Sequence, residues 1–275
     1  MPRAAVLGRP IEHSLSPVLH NAGYEAAGLA GWGYTRFETT AEGLPDLVEK
    51  SDPDFVGFSV TMPGKFAALR LADSVSDRAQ LIGSANTLVR RADGWFADNT
   101  DTVGVCGALA ELLGDEPVRH ALLIGAGGTA RPALWGLAER GVKKVTVLNR
   151  SDRSAELLPL AQNLGLELSF VSFDGDLSAL ARTVDVIVST VPAAAVEDYV
   201  FTIAHAPVLD VIYDPWPTPL TMCAAANGYK TVGGHVMLAH QAFSQFEQFT
   251  GVAAPREEML KALNQELQKR SQMTK

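Results

Sequence analysis

The sequence predicts an α/β protein with two layered halves, and three observations predict it. Short apolar runs alternate with amphipathic stretches along almost the whole chain, the pattern of strands joined by crossover helices over a mainly parallel sheet. A helical stretch from about Thr102 to Leu113, followed by Gly114-Asp115-Glu116-Pro117, interrupts that alternation before it restarts. After Gly233-Gly234 the strand signal stops and two helical stretches follow.

In chain order, residues 4–8, 34–38, 55–60, 87–90 and 95–97 read as strands of the first half. Residues 17–27 and 41–49 carry helical spacing between them, with Ser16 as the N-cap of the first helix and Pro17 at its first position. The second half offers strands at 121–125, 145–149, 168–171, 185–189 and 208–211. A helix over 131–140 tolerates Pro132 in its first turn. The closing helices span 235–249 and 256–269, the latter strongly charged on one face. The boundaries expected are therefore 1–101, 102–234 and 235–275.

With 275 residues and 47% hydrophobic content, the chain can bury two cores of ordinary size. A net charge of -8 argues against nucleic acid as a partner, because phosphate backbones are held by clustered Lys and Arg. No segment approaches the roughly 20 apolar residues of a bilayer-spanning helix, so no membrane partner is expected, and any anionic ligand must meet locally placed donors. Cys106 and Cys223 have no His or Cys at ligand spacing, which predicts neither a metal site nor a disulfide framework and fits a cytoplasmic location.

The strand over 121–124 runs into Gly125-Ala126-Gly127-Gly128-Thr129-Ala130 and then a helix, the order of a G-x-G-x-x-A dinucleotide turn. The first glycine permits the turn, the second admits a pyrophosphate to the backbone amides, and Ala130 lets the helix pack close. At the end of the next strand, where a carboxylate would bind the ribose of NAD, the chain has Asn149, then Arg150 and Ser151, with Arg153 beyond. Guanidinium groups there favour the 2'-phosphate of NADP; the alternative is that Arg150 and Arg153 are solvated loop residues.

Four polar clusters remain in the first half: Ser14-Leu15-Ser16-Pro17, Ser59-Val60-Thr61-Met62-Pro63-Gly64-Lys65, Ser84-Ala85-Asn86-Thr87 and Asp98-Asn99-Thr100-Asp101. Each lies at the end of an element, where ligands of open α/β sheets bind. Singly, each has a plainer explanation: Ser16 and Asp101 as helix caps, Asn86 as a turn residue, Lys65 as a surface lysine.

Taken in order, with His20-Asn21, Asp210-Val211-Ile212-Tyr213-Asp214-Pro215, Thr218-Pro219-Leu220, Gly234, Met237-Leu238 and Gln241, these clusters resemble the shikimate dehydrogenase family across nearly the whole chain. The variant Ser-Val-Thr-Met-Pro-Gly-Lys resembles its actinobacterial branch. The resemblance implies an N-terminal α/β substrate domain, a Rossmann-like NADP-binding domain and C-terminal helices packing back on the first. It implies NADPH-dependent reduction of 3-dehydroshikimate to shikimate, in chorismate and aromatic amino-acid biosynthesis, by a monomer or homodimer. Ser14 and Ser16 would bind the substrate carboxylate, and Lys65, Asn86, Asp101 and Gln241 its ring hydroxyls, with Thr61 and Tyr213 completing the pocket. Gln241 has the alternative of a solvated helix residue. The implied NADP contacts are Gly125, Ala126, Gly127, Gly128, Thr129, Ala130, Asn149, Arg150, Ser151, Arg153, Thr190, Val191, Pro192, Gly234 and Met237.

Lys65 and Asp101 are the implied catalytic pair. An amine with an ordinary pKa of about 10.4 exchanges protons near neutrality only where its surroundings favour the neutral form, and a carboxylate opposes that. Two versions follow: Lys65 as proton donor, or Lys65 as charge stabiliser with proton transfer shared with Asp101. The chain departs from the family at Ser59, where Asn is usual, at Gly64, where a bulky residue is usual, and over Ser189-Thr190-Val191-Pro192-Ala193-Ala194-Ala195. The alternatives are an NAD-dependent quinate/shikimate dehydrogenase and a regulatory protein that binds NADP and a shikimate-like ligand without turnover.

Overall fold

A computed structural model describes residues 1–273. The chain forms two compact units, Met1–Thr100 together with the chain from Gln241 onward, and Asp101–His240.

The first unit has the strands β1 (Arg3–Gly8), β2 (Gly33–Glu38), β3 (Phe55–Val60), β4 (Ser74–Val75), β5 (Thr87–Arg91) and β6 (Gly94–Asp98). Its helices are α1 (Ser16–Ala26), α2 (Leu44–Glu49), α3 (Lys65–Leu71) and α4 (Asp77–Ile82). The sheet order is β2-β1-β3-β5-β6-β4. β1 pairs in parallel with β2 and β3, but β5 is antiparallel to both β3 and β6. The sheet is mainly parallel, as expected, with β1–β2, β1–β3 and β4–β6 parallel and β5 alone running against its neighbours. Ala92-Asp93 closes a β5–β6 hairpin, and a short connection of this kind forces antiparallel neighbours. Phe58, Leu7, Leu44 and Leu88 are fully buried in its core, each stabilising the fold by about 1.5 to 3 kcal/mol relative to exposure.

The second unit begins with α5 (Asp101–Leu113) and continues through β7 (His120–Ile124), α6 (Ala130–Glu139), β8 (Lys144–Leu148), α7 (Ser154–Asn163) and β9 (Glu167–Val171). There follow α8 (Leu177–Ala181), β10 (Val186–Ser189), α9 (Val200–Ile203), β11 (Val208–Asp210), α10 (Pro219–Ala226) and β12 (Thr231–Gly233). All strand pairs are parallel in the order β12-β11-β10-β7-β8-β9. This is the doubly wound arrangement, whose switch point lies between β7 and β10, where ligands bind outside the carboxyl ends of the strands.

The last helices are α11 (Gly234–Thr250) and α12 (Arg256–Met273). The change from second to first unit falls inside α11. α12 packs on α1, where a side chain at Gly23 would strike Phe246 and Met259. Among the described residues no helix is long and apolar enough to cross a membrane.

Candidate active site

In the first unit the polar clusters gather at the carboxyl ends of β1 and β3. The Thr61 amide donates to the Leu7 carbonyl (2.8 Å) and the Arg9 amide to the Met62 carbonyl (2.9 Å), which ties the two loops together. Buried Ile11 and Leu15 pin the serine loop from below. Ser14 is half-buried, its Oγ accepting the Ser16 amide at 3.4 Å, and α1 starts there with Pro17 in its first turn. The positive end of the α1 dipole favours an anion at this position.

Ser16 is not the N-cap that its position suggested. It is the first residue of α1, Leu15 stands at the cap, and no side chain caps the helix. Ser16 is buried, and the Tyr34 phenol nearby donates to Ser59 Oγ (2.5 Å). Burial pushes that phenol well above its ordinary pKa, against opposing hydrogen bonds with Ser59 and Ser16, so Tyr34 stays protonated. His20 stacks on Tyr34 at 4.2 Å between ring centroids, and burial pulls its pKa down to about 3, leaving it neutral.

Thr61 and Lys65 are half-buried, and Lys65 opens α3 directly after Gly64. The small residue at 64 has a cause: a Cβ there would lie 2.7 Å from Leu44 Cδ1 and 2.9 Å from Val60 Cγ1. The Ala85 amide bonds to the Lys65 carbonyl (3.0 Å), setting the start of α3 beside the Asn86 segment. Asn86 is buried, and so is Gln241, which rules out a solvated helix position. Asp101 and Tyr213 belong to the second unit. Asp101 is buried in the first turn of α5.

Tyr213 lies in the loop after β11, which Asp210 anchors from within the sheet. The Thr218 hydroxyl donates to Asp210 Oδ2 (2.8 Å) and the Ile212 amide to Oδ1 (3.2 Å). Burial raises the Asp210 carboxyl pKa, partly offset by these bonds. Thr218 also caps α10, accepting the Thr221 amide. Asp98 anchors the first unit in the same manner, taking Arg78 in a two-point pair, Ser76 Oγ (2.6 Å) and Gln248 Nε2 (2.8 Å). Burial would raise its pKa, but the hydrogen bonds and charge of Arg78 outweigh it and hold the carboxyl below the ordinary range.

The glycine turn of the second unit sits at the switch point. Gly125 has φ +99, and a Cβ there would lie 2.6 Å from both Thr190 Oγ1 and Val191 Cγ1. Thr190 is held under the turn by two bonds to the Ile124 carbonyl, from its amide (2.9 Å) and its hydroxyl (2.8 Å). Positions 127 and 128 face open space, and the Ala130 amide returns to the Gly127 carbonyl (3.1 Å). The backbone is thus shaped as a cradle for a pyrophosphate. Gly234 is tied to the Ile212 carbonyl (3.1 Å), and Met237 is buried.

At the end of β8 a cavity of about 270 Å³ is lined by Asn149, Arg150, Ser151, Asp152 and Ser154 on one side and Phe170, Val171 and Ser172 on the other. Asn149 Nδ2 donates to the Ser151 carbonyl (2.8 Å), holding the loop around it. Asp152 is occupied by the Ser154 amide (2.8 Å), and hydrogen bonding from Ser154 holds its carboxyl below the ordinary range. Arg153 turns to Glu156 (2.5 Å) and does not line the cavity. One guanidinium, three serine hydroxyls and an amide suit a phosphate monoester, so these residues fit NADP.

A mixed α/β unit rich in buried hydroxyls and amides, and a doubly wound unit with a glycine turn at its switch point, define a nicotinamide-dependent oxidoreductase. Residues 6–88 match the shikimate dehydrogenase substrate binding domain, residues 109–205 the shikimate / quinate 5-dehydrogenase family and residues 234–263 the shikimate 5'-dehydrogenase C-terminal domain. The chain belongs to the shikimate dehydrogenase family. It is 40% identical to shikimate dehydrogenase (NADP(+)) of Methylobacterium radiotolerans over 260 residues, covering 91% of this chain and 92% of that protein. The crystal structure of Mycobacterium tuberculosis shikimate dehydrogenase is 50% identical, with a TM-score of 0.91 over 96% of this chain and all of that one. That of the Thermus thermophilus shikimate 5-dehydrogenase in complex with NADP(H) and shikimate is 32% identical, with a TM-score of 0.81 over 96% and 99% of the two chains.

The residues around this site that sequence reasoning missed are Tyr34, Thr87, Thr100 and Gln245, all hydrogen-bonded to its members. Thr87 and Thr100 stood inside two of the polar clusters without being given a role, Gln245 lies four residues after Gln241 on the same face of a helix, and Tyr34 had no signal beyond its strand.

Proposed function

We propose that this chain is an NADP-dependent shikimate dehydrogenase that reduces 3-dehydroshikimate to shikimate, supplying chorismate and aromatic amino-acid biosynthesis. The observation that carries the reading is the gathering of Ser14, Ser16, Thr61, Lys65 and Asn86 around the carboxyl ends of β1 and β3, in a chain of this family. The first unit is the substrate-binding one and the second binds NADP. Two mycobacterial structures at 50% identity support a place in the actinobacterial branch. The enzyme acts in the cytoplasm as a monomer or homodimer.

When bound, NADPH would supply the hydride for the carbonyl carbon and leave as NADP+, the C=O electron pair passing to oxygen. Lys65 meets the alkoxide that develops, as proton donor or as the charge that stabilises it, and Asp101 holds the reacting hydroxyl and shares the proton. Ser14 and Ser16, at the positive end of α1, bind the substrate carboxylate. Asn86 and Gln241 take ring hydroxyls, and Thr61 and Tyr213 complete the pocket. The glycine turn, Thr190, Val191, Pro192, Gly234 and Met237 hold the dinucleotide, with Asn149, Arg150 and Ser151 on its 2'-phosphate. NADPH absorbance followed with 3-dehydroshikimate tests the reading: oxidation that depends on Lys65 supports it, and binding of both ligands without oxidation at any pH would establish a regulatory binder instead.

A further inference from the structure

The loop that carries Ser14 is a tight turn held from outside by two guanidinium groups. The Ser14 amide returns to the Ile11 carbonyl (3.0 Å), so Glu12 and His13 are the central residues of a β-turn. Both residues are exposed, and neither carbonyl takes part in the turn's own hydrogen bond. Arg36, on β2, donates through Nη1 to the Glu12 carbonyl. Arg270, on α12, donates through Nη1 to the His13 carbonyl (3.0 Å) and through Nε to Glu266 on its own helix (3.1 Å).

The packing of the unit brings both groups to the turn. α12 meets α1 at Gly23, where Met259 lies against the glycine, and Arg270 stands about 16 Å further along the helix axis. α12 thus runs back along α1 and delivers Arg270 to the segment just before it. Tyr34 and Arg36 share a face of β2, and the Tyr34 amide and carbonyl are both taken by the Asn21 side chain of α1 (2.9 and 3.0 Å), which holds that strand beside the turn. The central peptide of a β-turn has two orientations, the difference between the commonest turn types, and a donor on the Glu12 carbonyl fixes one of them. A donor on the His13 carbonyl fixes the peptide that leads into Ser14. The Arg270 side chain is only 21% exposed, so its charge-assisted bond is largely shielded from water.

We propose that Arg270 and Arg36 are positioning residues for substrate binding: by fixing the 12–13 and 13–14 peptides of the turn, they set the Ser14 hydroxyl for the substrate carboxylate. This rests on the reading of Ser14 as a carboxylate-binding residue. Ser14 Oγ accepts the Ser16 amide (3.4 Å), which leaves the hydroxyl its own proton to donate to an anion. A turn released to flip would hold the serine out of place part of the time. The substrate would then bind only the competent fraction, which weakens affinity without touching the chemistry.

The test is steady-state kinetics of the full chain carrying Arg270→Met or Arg36→Met, each with and without Ser14→Ala, together with thermal melting. Methionine keeps an apolar stem and removes the guanidinium. Arg270→Met raises the shikimate KM about fivefold, and Arg36→Met, at an exposed position, about threefold, the range of one charge-assisted hydrogen bond in competition with water. The kcat at saturating shikimate and the KM for NADP stay within about twofold of wild type, since the turn takes no part in the hydride step. In the Ser14→Ala background either substitution changes the shikimate KM by less than about twofold, because the hydroxyl that the turn places is gone. Equal losses with and without Ser14→Ala would overturn the inference while leaving Ser14 a substrate residue. A wild-type shikimate KM in either arginine variant would overturn it too, and a lowered melting temperature beside that KM would make the arginine a support of the fold alone. A Ser14→Ala chain with the wild-type shikimate KM would instead overturn the reading of Ser14, and the inference with it.

Discussion

The two units prepare their ligand groups in opposite ways. In the second, an apolar parallel sheet carries the groups on its rim: every residue of β7 is buried, and the glycine turn and residues 149–151 stand just past strand ends. In the first, the polar groups go inside, where Asn86, Thr87, Thr100, Ser59 and Gln245 are buried and bonded to one another. A rim site is specified by a short contiguous motif and tolerates exchange of single side chains. An interior site is specified by segments far apart in sequence, and each side chain depends on the next.

The largest effect that would break this comparison is at Lys65. Lys65→Ala lowers kcat by about 10² to 10⁴, as for a positioned acid or base, with a smaller change in KM. A variant that keeps more than about a tenth of wild-type kcat would take Lys65 out of the chemistry. On the rim, Arg150→Ala raises the KM for NADPH about 10- to 100-fold through one lost charge-assisted contact, while NADH kinetics hardly change. Equal losses with both cofactors would mean that the arginine supports the fold, and the rim would be less independent than it looks.

Acid stability sharpens the contrast. His20 is neutral in the folded first unit, its pKa lowered from 6.5 to about 3 by burial, so the unfolded chain takes up the proton first. Stability conferred by the neutral ring is complete above pH 6.5 and falls as the pH drops toward about 3, by up to about 1.4 kcal/mol per pH unit. Urea midpoints measured across that window fall less steeply for His20→Phe than for wild type; parallel curves would show that His20 does not set the acid limb. The smallest effect is at Ser16, where Ala raises the shikimate KM about fivefold by removing one hydroxyl donor and leaves NADP binding alone. Quinate, with a saturated ring and an extra hydroxyl beside that carboxylate, is turned over with a kcat/KM as much as about a hundredfold lower than shikimate; equal values would favour a dual-substrate enzyme.

Legibility in the sequence follows the same division. Five of the six strands of the second unit were readable to within a residue or two, because strands buried on both faces are continuous apolar runs, whereas the three-residue β12 is too short to show one. The two-residue strand β4, half-buried, has no periodicity to read, and α4 was missed although Ser76 caps it through the Ala79 amide. Strand direction in the first sheet was not legible either, since alternation says which face is buried and nothing about which neighbour a strand takes. Ser16 followed by proline has the local signature of a cap, yet the helix already begins at Ser16 and Leu15 stands in the cap position. Gln245 looked like any polar residue of an amphipathic helix, because its partners Ser59 on β3 and Thr87 on β5 are 186 and 158 positions away.

That last distance bears on the order in which the chain matures as it is made. Translation delivers residues 101–240 before 245 and 248, so the second unit can close while the ribosome is still at work. The first unit cannot. Its strands leave the tunnel early, yet Ser59, Thr87 and Asp98 lack their glutamine partners until α11 emerges. The part synthesised first is therefore the part finished last, and a nascent chain stalled before residue 245 would hold a completed second unit beside a first one with an open polar interior.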